Sequence, residues 1–232
     1  MPLSARRPMT GPSPSLIGDT ANVTELFNAP ALRVEQPRKV LATRARYDFF
    51  DATGTLLASA TETAERTRLK AVRAALPGNV LAGAQTLLVH DPAETLLLII
   101  EKHDTNRLTT IRRPVEGAEG AEGDALFDGD LIGSIRAERT TRHYALLDAA
   151  DKRVGEVTGD LGLRKFSVTD TERRHVAQIN KKWAGLRAEM LTNADRYSVE
   201  ITGKRITETL RALIVVTAVV LDLTLHESKD VV

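Results

Sequence analysis

From Val40 onward the chain repeats one pattern: a short apolar stretch, an Asp, a few turn residues and a second apolar stretch. It appears as YDFFDATGTLLASATE from Tyr47, TLLVHDPAETLLLIIEK from Thr86, HYALLDAADKRVGEVTG from His143 and KFSVTDTERRHVAQINKKW from Lys165. In each copy the Asp (Asp51, Asp91, Asp148, Asp170) opens the turn, where its carboxylate can accept backbone N–H bonds. Alternation supports strands on either side: Ala177, Ile179 and Trp183 share one parity, while Gln178, Asn180 and Lys182 share the other. The pattern predicts consecutive β-hairpins, an antiparallel meander. Two stretches interrupt it. Ala64 to Leu76 places Leu69, Val72 and Leu76 at helical spacing and ends at Pro77 and Gly78, which predicts a short surface helix. The Gly-, Ala- and Glu-rich tract from Val115 to Asp130 predicts a loop.

The last apolar stretch, Thr207 to Leu225, has a different character. Ala212 to Leu221 is apolar on every side apart from Thr217, so as a helix it has no face suited to water. Ile214, Val215, Val216, Thr217, Val219 and Val220 are β-branched and favour a strand by propensity. Continuous length favours a helix, about 28 Å long at 1.5 Å per residue. As a bilayer span the uncharged run is too short, bounded by Arg211 and Asp222 where about 20 residues are needed. Many strands and one all-apolar helix have a joint solution. A closed barrel of more than about eight strands is too wide to fill with its own side chains, and a central helix fills it. The expected fold is mostly β, a closed antiparallel barrel of about twelve strands around a central helix at 207–225. Phe49, Leu88, Leu98, Ile135, Leu146, Val168 and Ile179 are expected to point inward.

Composition narrows the function classes. With 232 residues, 42% of them hydrophobic and 27% charged, the chain has the make-up of a soluble globular protein. The first 22 residues, rich in Pro, Ser and Gly, are expected to be a disordered tail, leaving 23–232 as one domain. A formal net charge of +1 gives no global attraction to nucleic acid or to anionic membranes, so a local patch would have to supply it. Cysteine is absent, which removes disulfides, thiolate metal ligands and thiol nucleophiles. No apolar core of a signal peptide is visible, and a cytoplasmic location is expected.

The segment FSVTDTERRHVAQINKKWAGLRAEMLTNADRYSVEI, followed by a helix ending in VVLDL, resembles the tail of the phospholipid scramblase family and the related LURP-one-like proteins. Its most specific pieces are Ile179 to Trp183 with Gly185, the run Ala194, Asp195, Arg196 and Tyr197, and the apolar helix closed by Asp222. The resemblance implies a Tubby-like barrel around a central helix, and a role in lipid scrambling, lipid tethering or regulation. Two departures matter. Eukaryotic scramblases carry an acidic calcium-binding segment before the helix. The matching stretch here offers only Asp195 and Glu200 as carboxylates, with the cation Lys204 close by, so no metal site is expected. The palmitoylated cysteine cluster of those proteins is also missing.

The remaining chemistry is sparse. His90, His103, His143, His175 and His226 lack ligand spacing, and there is no phosphate loop or nucleophile elbow. No cofactor and no enzymatic activity are expected. Asp222, near a helix C-terminus, is expected to be held by a buried hydrogen bond, and Trp183 to anchor the core or rim. Basic pairs recur at predicted turns and strand ends, Arg112 with Arg113 among them. Arg164, Lys165, Arg173, Arg174, Lys181, Lys182, Lys204 and Arg205 are the candidate ligands for anionic lipid headgroups, each contributing about 1 kcal/mol near an anionic surface. Aromatics are not interleaved with these charges, and no nucleic acid is expected. The expected function is a non-enzymatic scramblase-like protein, peripheral to the inner face of the membrane, that binds phospholipid headgroups and takes part in lipid movement or tethering. The alternative is a soluble barrel adaptor that holds a protein partner and no lipid.

Overall fold

Strand alternation and Asp-led turns together build the wall of this protein. A computed structural model describes residues 25–37, 45–63, 84–103, 107–115, 129–138, 142–182 and 196–227. The strands are β1 (Ala31–Glu35), β2 (Arg46–Phe50), β3 (Leu56–Glu62), β4 (Gln85–His90), β5 (Leu96–Lys102) and β6 (Leu108–Arg113). They continue as β7 (Asp130–Ala137), β8 (His143–Asp148), β9 (Arg153–Gly159), β10 (Lys165–Asp170), β11 (His175–Lys182) and β12 (Arg196–Ile201). Each pairs antiparallel with its neighbours in sequence, and β1 pairs with β12, so the sheet is a closed twelve-stranded barrel. Closure leaves no strand edge to aggregate.

Five hairpins share one turn chemistry. In the turn at Asp51, the Oδ1 atom accepts the N–H of Thr53 and Thr55 at 2.9 and 2.8 Å. The Gly54 N–H reaches the Asp51 carbonyl, and Gly54 has a φ of 92°. Asp91, Asp148 and Asp170 repeat this arrangement, as expected. Asp160 opens a related turn one residue wider, its Oδ1 accepting the N–H groups four and five places on, and its role was not visible as a copy of the repeat. The residue three places after each Asp is left-handed, and only at Gly54 is it a glycine; Glu94, Asp151, Leu163 and Arg173 carry a side chain there. The turn is a type I turn closed by a left-handed residue, which offsets the register of the strands that follow. Register shifts sit beside the turns at Phe49/Phe50, Val89/His90, Leu146/Leu147 and Val168/Thr169.

The central helix α1 (Glu208–Glu227) runs through this barrel. Thr207 caps it, its Oγ1 accepting the Leu210 N–H at 3.2 Å, and Glu208 in the first turn complements the helix dipole. Every residue from Leu213 to Leu221 is at most 2% exposed. Each β-branched residue costs a few tenths of a kcal/mol in helix propensity, against about 1.5–3 kcal/mol for burying its side chain. Burial therefore decides, and the valines are helical. Thr217 satisfies its buried hydroxyl by donating to the Leu213 carbonyl at 2.7 Å. Small residues on the wall make room for the helix: a Cβ on Gly155 would sit 2.9 Å from Cδ1 of Leu210.

Most expected core positions hold. Phe49, Leu98, Ile135, Leu146, Val168 and Ile179 are buried in the core. Leu88 is a correction. It is only half-buried, whereas its neighbours Leu87 and Val89 are fully buried and lie opposite Ile100 and Leu98 in register. In an apolar run such as TLLVH parity cannot be read from hydrophobicity, and the pairing decides it. The expected tail, the helix at Ala64–Leu76, most of the tract after Val115, Trp183 and Asp195 lie outside the described residues.

Candidate functional site

Antiparallel alternation sorts the turns between two mouths. The turns at Asp51, Asp91, Asp148 and Asp170 lie at the mouth where α1 begins. The turn at Asp160, the end of β11 and the start of β12 lie at the other, where α1 ends. The eight basic candidates are divided accordingly. Arg173, Arg174, Lys204 and Arg205 are exposed at the first mouth; Arg164, Lys165 and Lys182 are exposed at the second. They do not form one patch.

Their partners differ too. Arg174 donates to Asp170 at 2.7 Å and to Glu172 at 2.9 Å, so much of its charge is already met by carboxylates. At the second mouth Arg164 and Lys165 flank Asp160, whose Oδ1 accepts both their backbone N–H groups and leaves their side chains pointing outward. Those two N–H bonds hold the Asp160 carboxyl below the usual carboxylate range. Of the Arg112 and Arg113 pair, Arg113 reaches solvent as expected, while Arg112 is half-buried and tied to Glu101 at 3.2 Å and to the Gly129 carbonyl at 3.0 Å.

Lys181 is the main correction. It is 8% exposed, with its ammonium 3.5 Å from Oδ1 of Asp222 and 5.2 Å from the centre of the Tyr197 ring. The signal was present in the sequence, because Lys181 shares parity with Ile179 and so must face inward wherever Ile179 does. The basic pairing with Lys182 concealed it.

Asp222 organises what lies beneath this mouth. It is fully buried near the C-terminus of α1, where the helix dipole disfavours a negative charge. Tyr47 donates to its Oδ2 and Tyr197 to its Oδ1, each at 2.9 Å, and Lys181 adds its positive charge. The expected buried hydrogen bond is thus a cluster drawn from β2, β11 and β12. Lys102 at the end of β5 is also buried and donates to the Leu223 carbonyl at 3.3 Å, placing a positive charge in the last turns of the helix where the dipole favours it. At the start of β8, at the same end of the barrel, burial pushes the Tyr144 phenol above its ordinary range, with Arg107 partly opposing. Sequence alone singled out Asp222 and placed Tyr197 in a family-like run, and it gave no reason to join either to Tyr47, 175 positions from Asp222.

Such a cluster orders the helix end and presents cations around it. Among the described residues there is no group of His, Cys, Asp or Glu side chains able to hold a metal ion, and no helix long and apolar enough to cross a membrane. Glu200, one of the two carboxylates in the stretch matching the calcium segment, is exposed and lies opposite Ala31 and Gln178 in the sheet.

No curated protein matches the chain. A crystal structure of a protein from Arabidopsis thaliana is similar at 15% identity, covering 83% of this chain and 93% of the other, with a TM-score of 0.46. The model of the Scramblase family matches residues 80–228. That span takes in β4 to β12, the Asp222 cluster's Lys181 and Tyr197, and α1, leaving β1 to β3 to close the barrel. The chain belongs to the Scramblase family.

Proposed function

We propose that this protein works at an anionic phospholipid surface, without catalysing a covalent step, and that it approaches the membrane through the mouth where α1 ends. The observation that carries this reading is the asymmetry of the two mouths. Arg164, Lys165 and Lys182 project from the second mouth, where the Asp160 carboxylate accepts the backbone N–H groups of Arg164 and Lys165. At the first mouth the Asp170 and Glu172 carboxylates occupy Arg174. A headgroup phosphate at the second mouth would meet three exposed cations beside a turn carboxylate that already accepts backbone N–H bonds. Membership of the Scramblase family supports phospholipid as the ligand, and a peripheral position at the inner membrane face suits a chain that meets lipid by charge. Movement or tethering of lipid would follow from holding headgroups there.

Co-sedimentation with vesicles of neutral phosphatidylcholine, with and without an anionic phospholipid, tests the reading. Binding is expected only with the anionic lipid, weakening as salt rises because exposed charges are screened over about 8 Å at physiological ionic strength. Changing Arg164, Lys165 and Lys182 together to Ala should weaken it by about 1 kcal/mol for each cation removed, whereas the same change at Arg173, Lys204 and Arg205 should leave it nearly intact. Calcium should make little difference. Equal binding to neutral and anionic vesicles, or none at low salt, would reject a headgroup role and favour the adaptor that holds a protein partner.

A further inference from the structure

We propose that Lys181 is an exchangeable cation: it pairs with Asp222 in the free protein and turns onto a phosphate group when one binds at the mouth where α1 ends. This rests on the headgroup reading above and goes beyond it, since it makes a buried residue part of the binding surface and couples ligand to the seat of the helix.

Three features carry it. The first is position. Lys181 is the last inward residue of β11 before the mouth, and Lys182 beside it faces outward with Arg164 and Lys165. The Lys181 N–H donates to the Arg164 carbonyl at 2.7 Å, so the turn carrying the exposed cations is bonded directly to the Lys181 backbone. The second is the ranking of the contacts on Asp222. Its two phenol donors stand at 2.9 Å and come from side chains packed in the core, while the ammonium is at 3.5 Å. If Lys181 swings out, the carboxylate keeps two strong donors, and the large cost of stranding a buried charge is much reduced. The third is the side chain itself. A lysine has four rotatable carbons and a compact charge, so it can keep its stem along the apolar wall while its ammonium moves from one anion to another. Arg164, Lys165 and Lys182 attract an anion to the rim, and Lys181 is the group that can meet it from within.

The proposal predicts effects of opposite sign, which a merely structural pair would not produce. Asp222→Asn removes the charge of an internal competitor for the ammonium. It should lower the melting temperature and yet strengthen binding to anionic vesicles by about fivefold, because the competent orientation of Lys181 no longer has to be drawn from a minor population. Lys181→Met, which keeps the stem and loses the charge, should weaken binding by about fivefold. Tyr197→Phe serves if the Asp222 variant does not fold. With one donor gone the carboxylate holds Lys181 more firmly, and binding should weaken although no surface cation has changed. All are measured by vesicle co-sedimentation on the full chain at fixed salt. A second arm titrates inorganic phosphate and follows melting: a rise in wild type that Lys181→Met abolishes identifies free phosphate as sufficient, and an effect confined to vesicles identifies the lipid surface. Salt-sensitive binding by wild type that is unchanged in all three variants overturns the role of Lys181 and leaves the headgroup reading standing. Absence of wild-type binding overturns the headgroup reading first.

Discussion

The two ends of the central helix are finished by different means. At its start, Thr207 caps the third residue after it, and the surrounding turns close on themselves through Asp carboxylates that accept N–H groups two and four places on. At its end, Asp222 is held by Tyr47, Lys181 and Tyr197, and the Leu223 carbonyl by Lys102, all from distant strands. Local hydrogen bonds predominate at the first mouth, joined by one long-range bond from Arg211 to the Phe27 carbonyl at 3.0 Å. A layer of charged and phenolic groups joined across the barrel serves a mouth where the helix end, four strands and the exposed cations must stay in register. Under the proposal above, that second mouth is the end that meets lipid.

The contrast can be broken most severely in the middle, where both ends depend on the same core. Val216→Asp places a charge at a fully buried position of α1, and its desolvation cost rivals the 5–15 kcal/mol that stabilises a whole domain. No soluble folded protein should be recovered, and a soluble product with an unchanged melting temperature would remove the helix from the interior. Next in size, Asp222→Ala removes the carboxylate that Lys181 and two phenols share. A loss of about 3–5 kcal/mol is expected from urea unfolding, since removing one partner from a buried charged set is strongly destabilising. At the capped end the matching change, Thr207→Ala, should cost about 1 kcal/mol. Comparable losses at Thr207 and Asp222 would contradict the division between a locally and a globally held end.

Smaller effects sharpen the description of the turns. Arg173 is exposed and left-handed, with a φ of 62°, so Arg173→Gly should raise stability by about 0.5–1 kcal/mol, while Gly54→Ala should lower it by a similar amount. Acid titration gives the last test. The Thr53 hydroxyl and then the Thr55 N–H hold the Asp51 carboxyl below its ordinary value. A carboxylate whose folded pKa is depressed favours the folded state above its unfolded value near 4, and that favour disappears as pH falls through the folded pKa. Asp51→Asn keeps an oxygen acceptor for the turn and should flatten this acid slope, measured as the change in melting temperature between pH 5 and pH 2. A slope identical to wild type would show that the turn carboxylate is not perturbed.

Legibility followed the range of the interaction. The Asp of each turn and the residues that close on it lie within five positions, so four of the five turns could be read from repetition, and Asp160 escaped because its neighbours lack the flanking apolar stretches. Ala177 and Ile179 were readable by alternation, and the same rule applied one step further would have turned Lys181 inward. Leu88 could not be placed, because in TLLVH both parities are apolar until β5 pairs with β4 and sets which face is inside. The site suffered more than the fold. Eight cations looked equivalent as pairs at strand ends, and only the closed meander divides them between two mouths and draws one of them inside.

By itself, then, the sequence determined the meander, its Asp-led turns and a terminal helix that has to be surrounded, because backbone propensity, local acceptors and apolar periodicity act over a few residues. It also carried enough of its family's pattern in Ile179 to Trp183, Arg196, Tyr197 and Asp222 to announce the barrel. Tertiary structure supplied the reason why that β-branched run holds as a helix, since the gain from burial on all sides exceeds the propensity for a strand. It alone joined Tyr47 to Asp222 and set Lys181 between a buried carboxylate and a basic rim. Those contacts depend on closure of twelve strands around one helix, and closure is a property of the whole chain that no short window of residues contains.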